Sequence, residues 1–356
     1  MNKKKHICFL VNVDWFFYSH RELLAKGLES SGFEVSLIAG DTGEPEKFND
    51  RKFKIKGRVP TIKSIGKIRR ELTRIGKIDN FIVVSPVMIL IFHFLFPKYK
   101  KAIYNFSGLG FLRKLPNFVQ SILLFLMKIY PHNGTRAIVL QNTDDYKIFI
   151  KIFNNSKKFQ VNLIPGSGYV NSCKTKPIKL NTGLKIGYVG RLNKQKGILE
   201  LIQCVEELKN YLKDLNLYLW GRLDDSRRHG FNKKELDYLE ENKKYFCGES
   251  KDKRTIFESF DVFCLPSSGE GLSKAAIEAA SFYKPLLLSD VEGNRDMISG
   301  NGYLFEYGNI SDLKIKVEKM YYNNNMTYDD LAHKSRELFE EKWTFEKILR
   351  QWMEII

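Results

Sequence analysis

Residues 264–298 read Cys-Leu-Pro-Ser-Ser-Gly-Glu-Gly-Leu-Ser-Lys-Ala-Ala-Ile-Glu-Ala-Ala-Ser-Phe-Tyr-Lys-Pro-Leu-Leu-Leu-Ser-Asp-Val-Glu-Gly-Asn-Arg-Asp-Met-Ile. An apolar run ends near Leu265, and the glycine-bounded turn Gly269-Glu270-Gly271 follows. Ser273 opens an alanine-rich helical stretch that reaches Phe282, and a second apolar run covers Pro285–Ser289. Strand, loop, helix and strand at this spacing make one unit of a parallel, doubly wound sheet.

The pattern continues on both sides. Upstream lie a strand at Leu184–Gly190, a helix over Ile198–Tyr211 and strands at Leu215–Trp220 and Phe260–Leu265; downstream, helices are predicted near Ile310–Tyr322 and Tyr328–Met353. The first half starts in the same way. His6–Val13 is strand-like, Ser19–Ser31 reads as a helix with Leu23, Leu24 and Leu28 on one face, and Glu34–Ala39, Phe81–Val84 and Ala137–Gln141 are further strands. Two such starts predict an α/β chain of two doubly wound domains, 1–170 and 171–340, with residues 341–356 as a C-terminal helix end packing back toward the first. Gly166, Gly168, Asn171 and Pro177 break the pattern near the join. Ligands of such domains bind at the carboxyl ends of the strands, which predicts a cleft with one domain on each side.

The opening segment also carries the chemistry. Backbone N–H groups at the start of the Ser273 helix have no intrahelical partner and sit at the positive end of its dipole, so Gly271, Leu272 and Ser273 offer a seat for phosphate. Glu270 lies in the loop and Glu278 further along the helix. A carboxylate beside such a seat does not hold phosphate, but it accepts hydrogen bonds from sugar hydroxyls.

Charge is unevenly distributed. Residues 1–170 hold 28 Lys and Arg against 12 Asp and Glu, while residues 171–356 hold 30 against 29. Between Asn80 and Thr143 there is no acidic residue, but Lys98, Lys100, Lys101, Arg113, Lys114, Lys128 and Arg136 all lie there. Such a face is either merely solvated or drawn to a polyanion, a phospholipid surface or a nucleic acid. Phe81–Phe96 is interrupted by Ser85, Pro86 and His93 and falls short of a membrane span, and Val119–Tyr130 is either a core helix or an interfacial one. No transmembrane helix is predicted. Five scattered cysteines (Cys8, Cys173, Cys204, Cys247, Cys264) without a CxxC pair argue against disulfides and zinc and for a reduced cytoplasm.

The segment 264–298, together with Ile186-Gly-Tyr-Val-Gly190-Arg191-Leu-Asn-Lys-Gln-Lys196-Gly197-Ile, resembles the signature of the family 4 retaining glycosyltransferases. These share the two-Rossmann-domain architecture called GT-B. Val11–Arg21, Ser107–Gly110, Leu140–Asp145 and Ile164–Gly168 are similar to further blocks of the bacterial members that build O-antigen and capsular polysaccharide on a polyprenyl diphosphate. The resemblance implies a nucleotide-sugar donor, most simply UDP-linked, and transfer of a hexose or N-acetylhexosamine to a lipid-linked saccharide with an α-linkage. It implies that Arg191 and Lys196 bind the diphosphate and offset leaving-group charge, that Glu270 contacts the transferred sugar and Glu278 the ribose, and that Gly190, Gly271, Leu272 and Ser273 line the donor. On the acceptor side it points to Asp14, Trp15, His20, Gly108 and Asn142. The chain departs from the pattern at Tyr169-Val170-Asn171, where Val-Asp is usual, and has no His in the loop Ser107–Gly110.

No metal is expected, since Asp144-Asp145 and Asp224-Asp225 are adjacent pairs whose side chains point apart. The base pocket is expected near Trp220–Arg222 and Phe246–Gly248. The basic first half is expected to hold the enzyme, as a peripheral protein, on the anionic inner face of the plasma membrane. Other readings are a transferase using GDP-linked or other donors on a different acceptor, a GT-B nucleotide-sugar epimerase, and a nucleic-acid-binding protein. The last lacks any visible recognition module, so nucleic acid is not an expected partner.

Overall fold

The computed structural model describes residues 4–41, 52–56, 62–171, 183–223, 230–322 and 325–356. Cys173, Pro177 and the pair Asp224-Asp225 lie outside them. The chain divides into two compact units, one of residues 1–167 with 345–356 and one of residues 168–344.

Unit 1 holds β1 (His6–Val11), α1 (Asp14–His20), α2 (Glu22–Ser30), β2 (Glu34–Asp41), β3 (Lys52–Lys56), α3 (Ile62–Ile75), β4 (Asn80–Val84) and α4 (Pro86–Leu95). It continues with β5 (Lys101–Phe106), α5 (Asn117–Ile129), β6 (Thr135–Leu140), α6 (Thr143–Phe153) and β7 (Phe159–Leu163). Its strands pair in parallel in the order β3-β2-β1-β4-β5-β6-β7. All six residues of β1 and all five of β4 are buried, because central parallel strands are covered on both faces. One core layer joins Leu10, Val83 and Tyr104 to Met88 and Phe92 of α4 and to Leu124 and Met127 of α5. The other joins Phe9 and Val84 to Leu24 and Leu28 of α2. The helix expected over Ser19–Ser31 is two helices, divided at Arg21, whose φ of −128° leaves the helical region.

Unit 2 holds β8 (Leu184–Val189), α7 (Ile198–Leu208), β9 (Leu215–Trp220), α8 (Lys233–Glu241), β10 (Phe246–Gly248), α9 (Lys253–Glu258), β11 (Val262–Leu265) and α10 (Lys274–Ser281). Then come β12 (Leu286–Ser289), β13 (Gly302–Phe305), α11 (Ile310–Tyr321) and α12 (Asn325–Leu338). The strand order is β10-β9-β8-β11-β12-β13, again all parallel, and it repeats the order of the first six strands of unit 1. Each sheet reverses direction beside its first strand, which opens a crevice at the carboxyl ends of the central strands.

The helix expected over Tyr328–Met353 is also divided. After α12, Phe339–Trp343 forms a π-helical turn, Thr344 is extended, and α13 (Phe345–Ile355) belongs to unit 1. Ile348 and Trp352 of α13 are buried in the layer that holds α2. Gly27 makes room for it: a Cβ there would lie 2.7 Å from Phe345 Cζ. Among the described residues no helix is long and apolar enough to cross a membrane.

Candidate active site

Two loops at the carboxyl ends of β8 and β11 build the center of the site. After β8, Gly190 takes a φ of +150°, and the chain continues through Arg191 to a short 3-10 turn, Lys194–Lys196. Asn193 caps that turn, its side chain accepting from the Lys196 N–H at 3.1 Å. Gly197 then turns into α7 with a φ of +69°. A Cβ on Gly197 would lie 2.2 Å from the Pro266 carbonyl oxygen, so the two loops touch where only glycine fits. The Ser268 N–H donates to the Gln195 carbonyl at 2.9 Å, which ties them a second time. Lys196 Nζ and Glu270 Oε1 close the contact as an ion pair.

Glu270 and Gly271 are backed by Gly293, whose φ is +79° and whose added Cβ would lie 2.5 Å from the Gly271 carbonyl oxygen. Ser273 caps α10, its hydroxyl accepting from the Ala276 N–H at 3.3 Å. Glu278 sits in α10 and is 3% exposed. Lys253 Nζ from α9 donates to its Oε2 at 2.7 Å, and Lys274 Nζ lies 3.8 Å from Oε1. Beneath the loops Tyr188 is fully buried, and its hydroxyl donates to the Arg191 carbonyl at 2.8 Å. Burial, reinforced by the charge of Glu270, pushes its phenol far above the usual range. The hydroxyl stays protonated and anchors the Arg191 backbone, while the Arg191 side chain is exposed.

Unit 2 therefore gathers Gly190, Arg191, Lys196, Glu270, Gly271, Leu272, Ser273 and Glu278 on neighboring loops and one helix. Four cations (Arg191, Lys196, Lys253, Lys274) stand against two carboxylates, a surplus that suits a ligand with two or more negative charges. Lys253 has no visible signal in the sequence; only the packing of α9 beside α10 brings it to Glu278. Nearby, Trp220 and Gly248 share a strand pairing, and the Gly221 N–H donates to the Gly248 carbonyl at 2.7 Å. The Trp220 indole N–H is taken by Ser259 Oγ at 2.9 Å, so this residue presents only its ring to a ligand.

The residues expected on the acceptor side lie in unit 1. Asp14 opens α1, is fully buried, and accepts from the Trp15 N–H at 2.8 Å. Trp15 and His20 are half-buried, the latter with its ring 4.6 Å from that of Phe16. Gly108 has a φ of +103°. Asn142 is fully buried and caps α6, accepting from the Asp145 N–H at 2.8 Å. Asp145 in turn pairs with Arg113. Asn142 and Asp14 are thus occupied in holding the backbone, and their side chains shape the carboxyl ends of the sheet from within. Among the described residues no group of three or more His, Cys, Asp or Glu side chains is placed to hold a metal ion.

The two doubly wound sheets define the architecture called GT-B. Residues 174–338 match the family model of the group 1 glycosyl transferases. An uncharacterized glycosyltransferase of Haemophilus influenzae is 27% identical over 94% of both chains. The capsular polysaccharide biosynthesis glycosyltransferase CapM of Staphylococcus aureus is 25% identical over 79% of this chain and 72% of its own. The fold is shared with the Anabaena protein HepE, solved with UDP-glucose, at a TM-score of 0.71, 15% identity and 98% of each chain covered.

Proposed function

We propose that the chain transfers a hexose or N-acetylhexosamine from a UDP-sugar to a polyprenyl-diphosphate-linked saccharide, with retention and an α-linkage, in the synthesis of a bacterial surface polysaccharide. The observation that carries the reading is the Lys196–Glu270 pair, held where two glycine-gated loops meet beside Arg191 and the start of α10. Paired in this way, the two charges neutralize each other. An arriving diphosphate takes Lys196 and Arg191, and this releases the Glu270 carboxylate to accept hydrogen bonds from the sugar. Glu278, fixed by Lys253, accepts from the ribose. The acceptor oxygen forms its bond to the anomeric carbon as the bond from that carbon to the donor phosphate breaks. The nucleoside diphosphate leaves with the electron pair and takes the acceptor proton, so no side chain acts as base. Arg191, Lys196 and the α10 backbone stabilize the charge that develops on the leaving group. The HepE complex with UDP-glucose supports a UDP donor, and CapM supports a surface polysaccharide as product.

Unit 1 is proposed to take the acceptor and to rest on the anionic inner face of the plasma membrane. Support comes from α5, whose outward face is apolar: Phe118, Ile122, Phe125 and Ile129 are each more than half exposed. Exposed Lys147 and Lys151 lie on the adjoining α6. An apolar stripe with cations beside it fits lipid headgroups over an acyl boundary. Binding to vesicles with phosphatidylglycerol is expected to weaken with salt and with Phe118→Ser/Phe125→Ser. Equal binding by that variant removes α5 from the interface.

The reaction is tested by Glu270→Ala, assayed with a panel of UDP-sugars and GDP-mannose on a synthetic lipid-diphosphate acceptor. The variant is expected to fold and to lose transfer. Near-normal turnover would sink the assignment.

A further inference from the structure

Arg21 places a cation at the carboxyl end of the unit 1 sheet, and the reaction above makes no use of it. The residue is 1% exposed, and its hydrogen-bond partners among the described residues are neutral. Nη1 donates to the His20 carbonyl at 3.0 Å and to Ser167 Oγ at 2.9 Å, and Nη2 donates to Ser107 Oγ at 2.7 Å. With the Asn105 amide turned so that its oxygen faces the guanidinium, that oxygen accepts from Nη2 and Nε at 3.0 and 2.8 Å. Among the described residues no carboxylate pairs with it. A buried cation without a counter-charge is costly, and dipoles of neutral partners offset only part of that cost. Burial pulls Arg21 down to about 9, which still leaves it charged at neutral pH.

The two serines turn this charge outward. A hydroxyl that accepts from a guanidinium keeps its own hydrogen for another acceptor. Ser107 and Ser167 are both half-buried, and neither donates that hydrogen to a described residue. They stand on different loops, one directly after β5 and one just beyond β7, and are brought together only by the two terminal nitrogens of Arg21. Two half-exposed hydroxyls, each with a hydrogen left to give and a positive charge behind it, favor an anionic oxygen over a neutral sugar hydroxyl.

We propose that Ser107 and Ser167, held by Arg21, form a two-point seat for a phosphate-class oxyanion on the acceptor side. This rests on the reading of unit 1 as the acceptor unit, in which case the group seated is the diphosphate that links saccharide to lipid. Arg21 is a positioning residue, since it reaches the ligand only through the hydroxyls.

The test titrates inorganic pyrophosphate and farnesyl diphosphate, by calorimetry, into the full chain carrying Arg191→Ala/Lys196→Ala, which removes the donor cations. Ser107→Ala/Ser167→Ala is then added. The proposal expects the parent to bind both probes and the serine variant to bind both about tenfold or more weakly, with unchanged thermal unfolding. Tighter parent binding of farnesyl diphosphate than of pyrophosphate supports the lipid-linked source, and equal binding supports free phosphate. Equal affinity in parent and serine variant, or no binding by the parent, overturns the proposal. Loss confined to farnesyl diphosphate overturns it too, since the hydroxyls would then be reading the chain and not the phosphate. Failure of every sugar transfer would remove the transferase reading and leave this binding result standing.

Discussion

Gly197→Ala tests whether the loops after β8 and β11 must touch. Gly197 has a φ of +69°, a conformation that costs an L-residue about 1–2 kcal/mol. The new Cβ would also lie 2.2 Å from the Pro266 carbonyl oxygen and 2.8 Å from its Cβ. Carbon and carbonyl oxygen ordinarily meet at about 3.3–3.6 Å, so one loop must retreat by about 1 Å. Overpacking of that kind costs about 1–3 kcal/mol. The sum, about 2–5 kcal/mol, corresponds to a melting point lower by roughly 5–20 °C for a unit of this size. A 1 Å displacement of Lys196 from Glu270 is expected to lower kcat/KM by about a hundredfold. Gly308→Ala is the control, because Gly308 has a φ of +77° with no atom within 4 Å of its added Cβ. It carries the conformational cost alone. Thermal unfolding followed by circular dichroism, beside steady-state transfer, reads both effects. If Gly197→Ala matches Gly308→Ala in melting point and activity, the loop contact is not what assembles the site.

Glu278→Gln keeps the shape of the side chain and removes its charge, leaving Lys253 without its ion pair. The donor KM is expected to rise by tenfold or more, about 1.4 kcal/mol, with kcat less affected, and an unchanged KM would argue against a ribose contact. Acidification should destabilize unit 1 through His93 and His132, both buried with ring centroids 5.1 Å apart. Burial first, then the charges of each other and of Arg136, lower His93 to about 4; burial and then Arg136 do the same for His132. The unfolded chain binds these two protons from about pH 6.5 downward and the folded chain does not. Stability therefore falls between pH 6.5 and 4, with a slope approaching about 2.7 kcal/mol per pH unit for the pair. His93→Phe/His132→Phe should flatten that limb in urea unfolding, and an unchanged slope would place the acid sensitivity elsewhere.

The doubly wound class and the order of its elements were legible in the sequence because buried parallel strands are continuous apolar runs and their crossover helices carry a 3.6-residue period. His6–Val11 and Leu286–Ser289 are such runs. The two glycine-bounded loops were legible for a related reason: positive φ at Gly190 and Gly197, and close backbone approach at Gly293, demand glycine, and glycine is visible in a sequence. Helix interruptions were harder to see. Arg21 breaks α1 from α2 with no proline or glycine to announce it; the break sets its guanidinium against Asn105, Ser107 and Ser167, partners far away in the sequence. The stretch Tyr328–Met353 is helix-forming throughout, and its break at Phe339–Thr344 comes from the C-terminal helix joining the unit 1 core.

By itself the sequence determined the fold class, the two-part organization and which carboxylates and cations flank the glycine turns, since each rests on local pattern. Which groups meet was decided only by the tertiary structure. Lys196 pairs with Glu270 across 74 residues, Lys253 with Glu278, and Arg21 draws in Ser107 and Ser167. Val119–Tyr130 reads from its sequence equally well as a core helix or as an interfacial one; the packing of Leu124 and Met127 inward is what leaves Phe118, Ile122, Phe125 and Ile129 on the surface. The physical reason is the same in each case. Pairing energies depend on distances set by how strands and helices stack, and no local period encodes those distances.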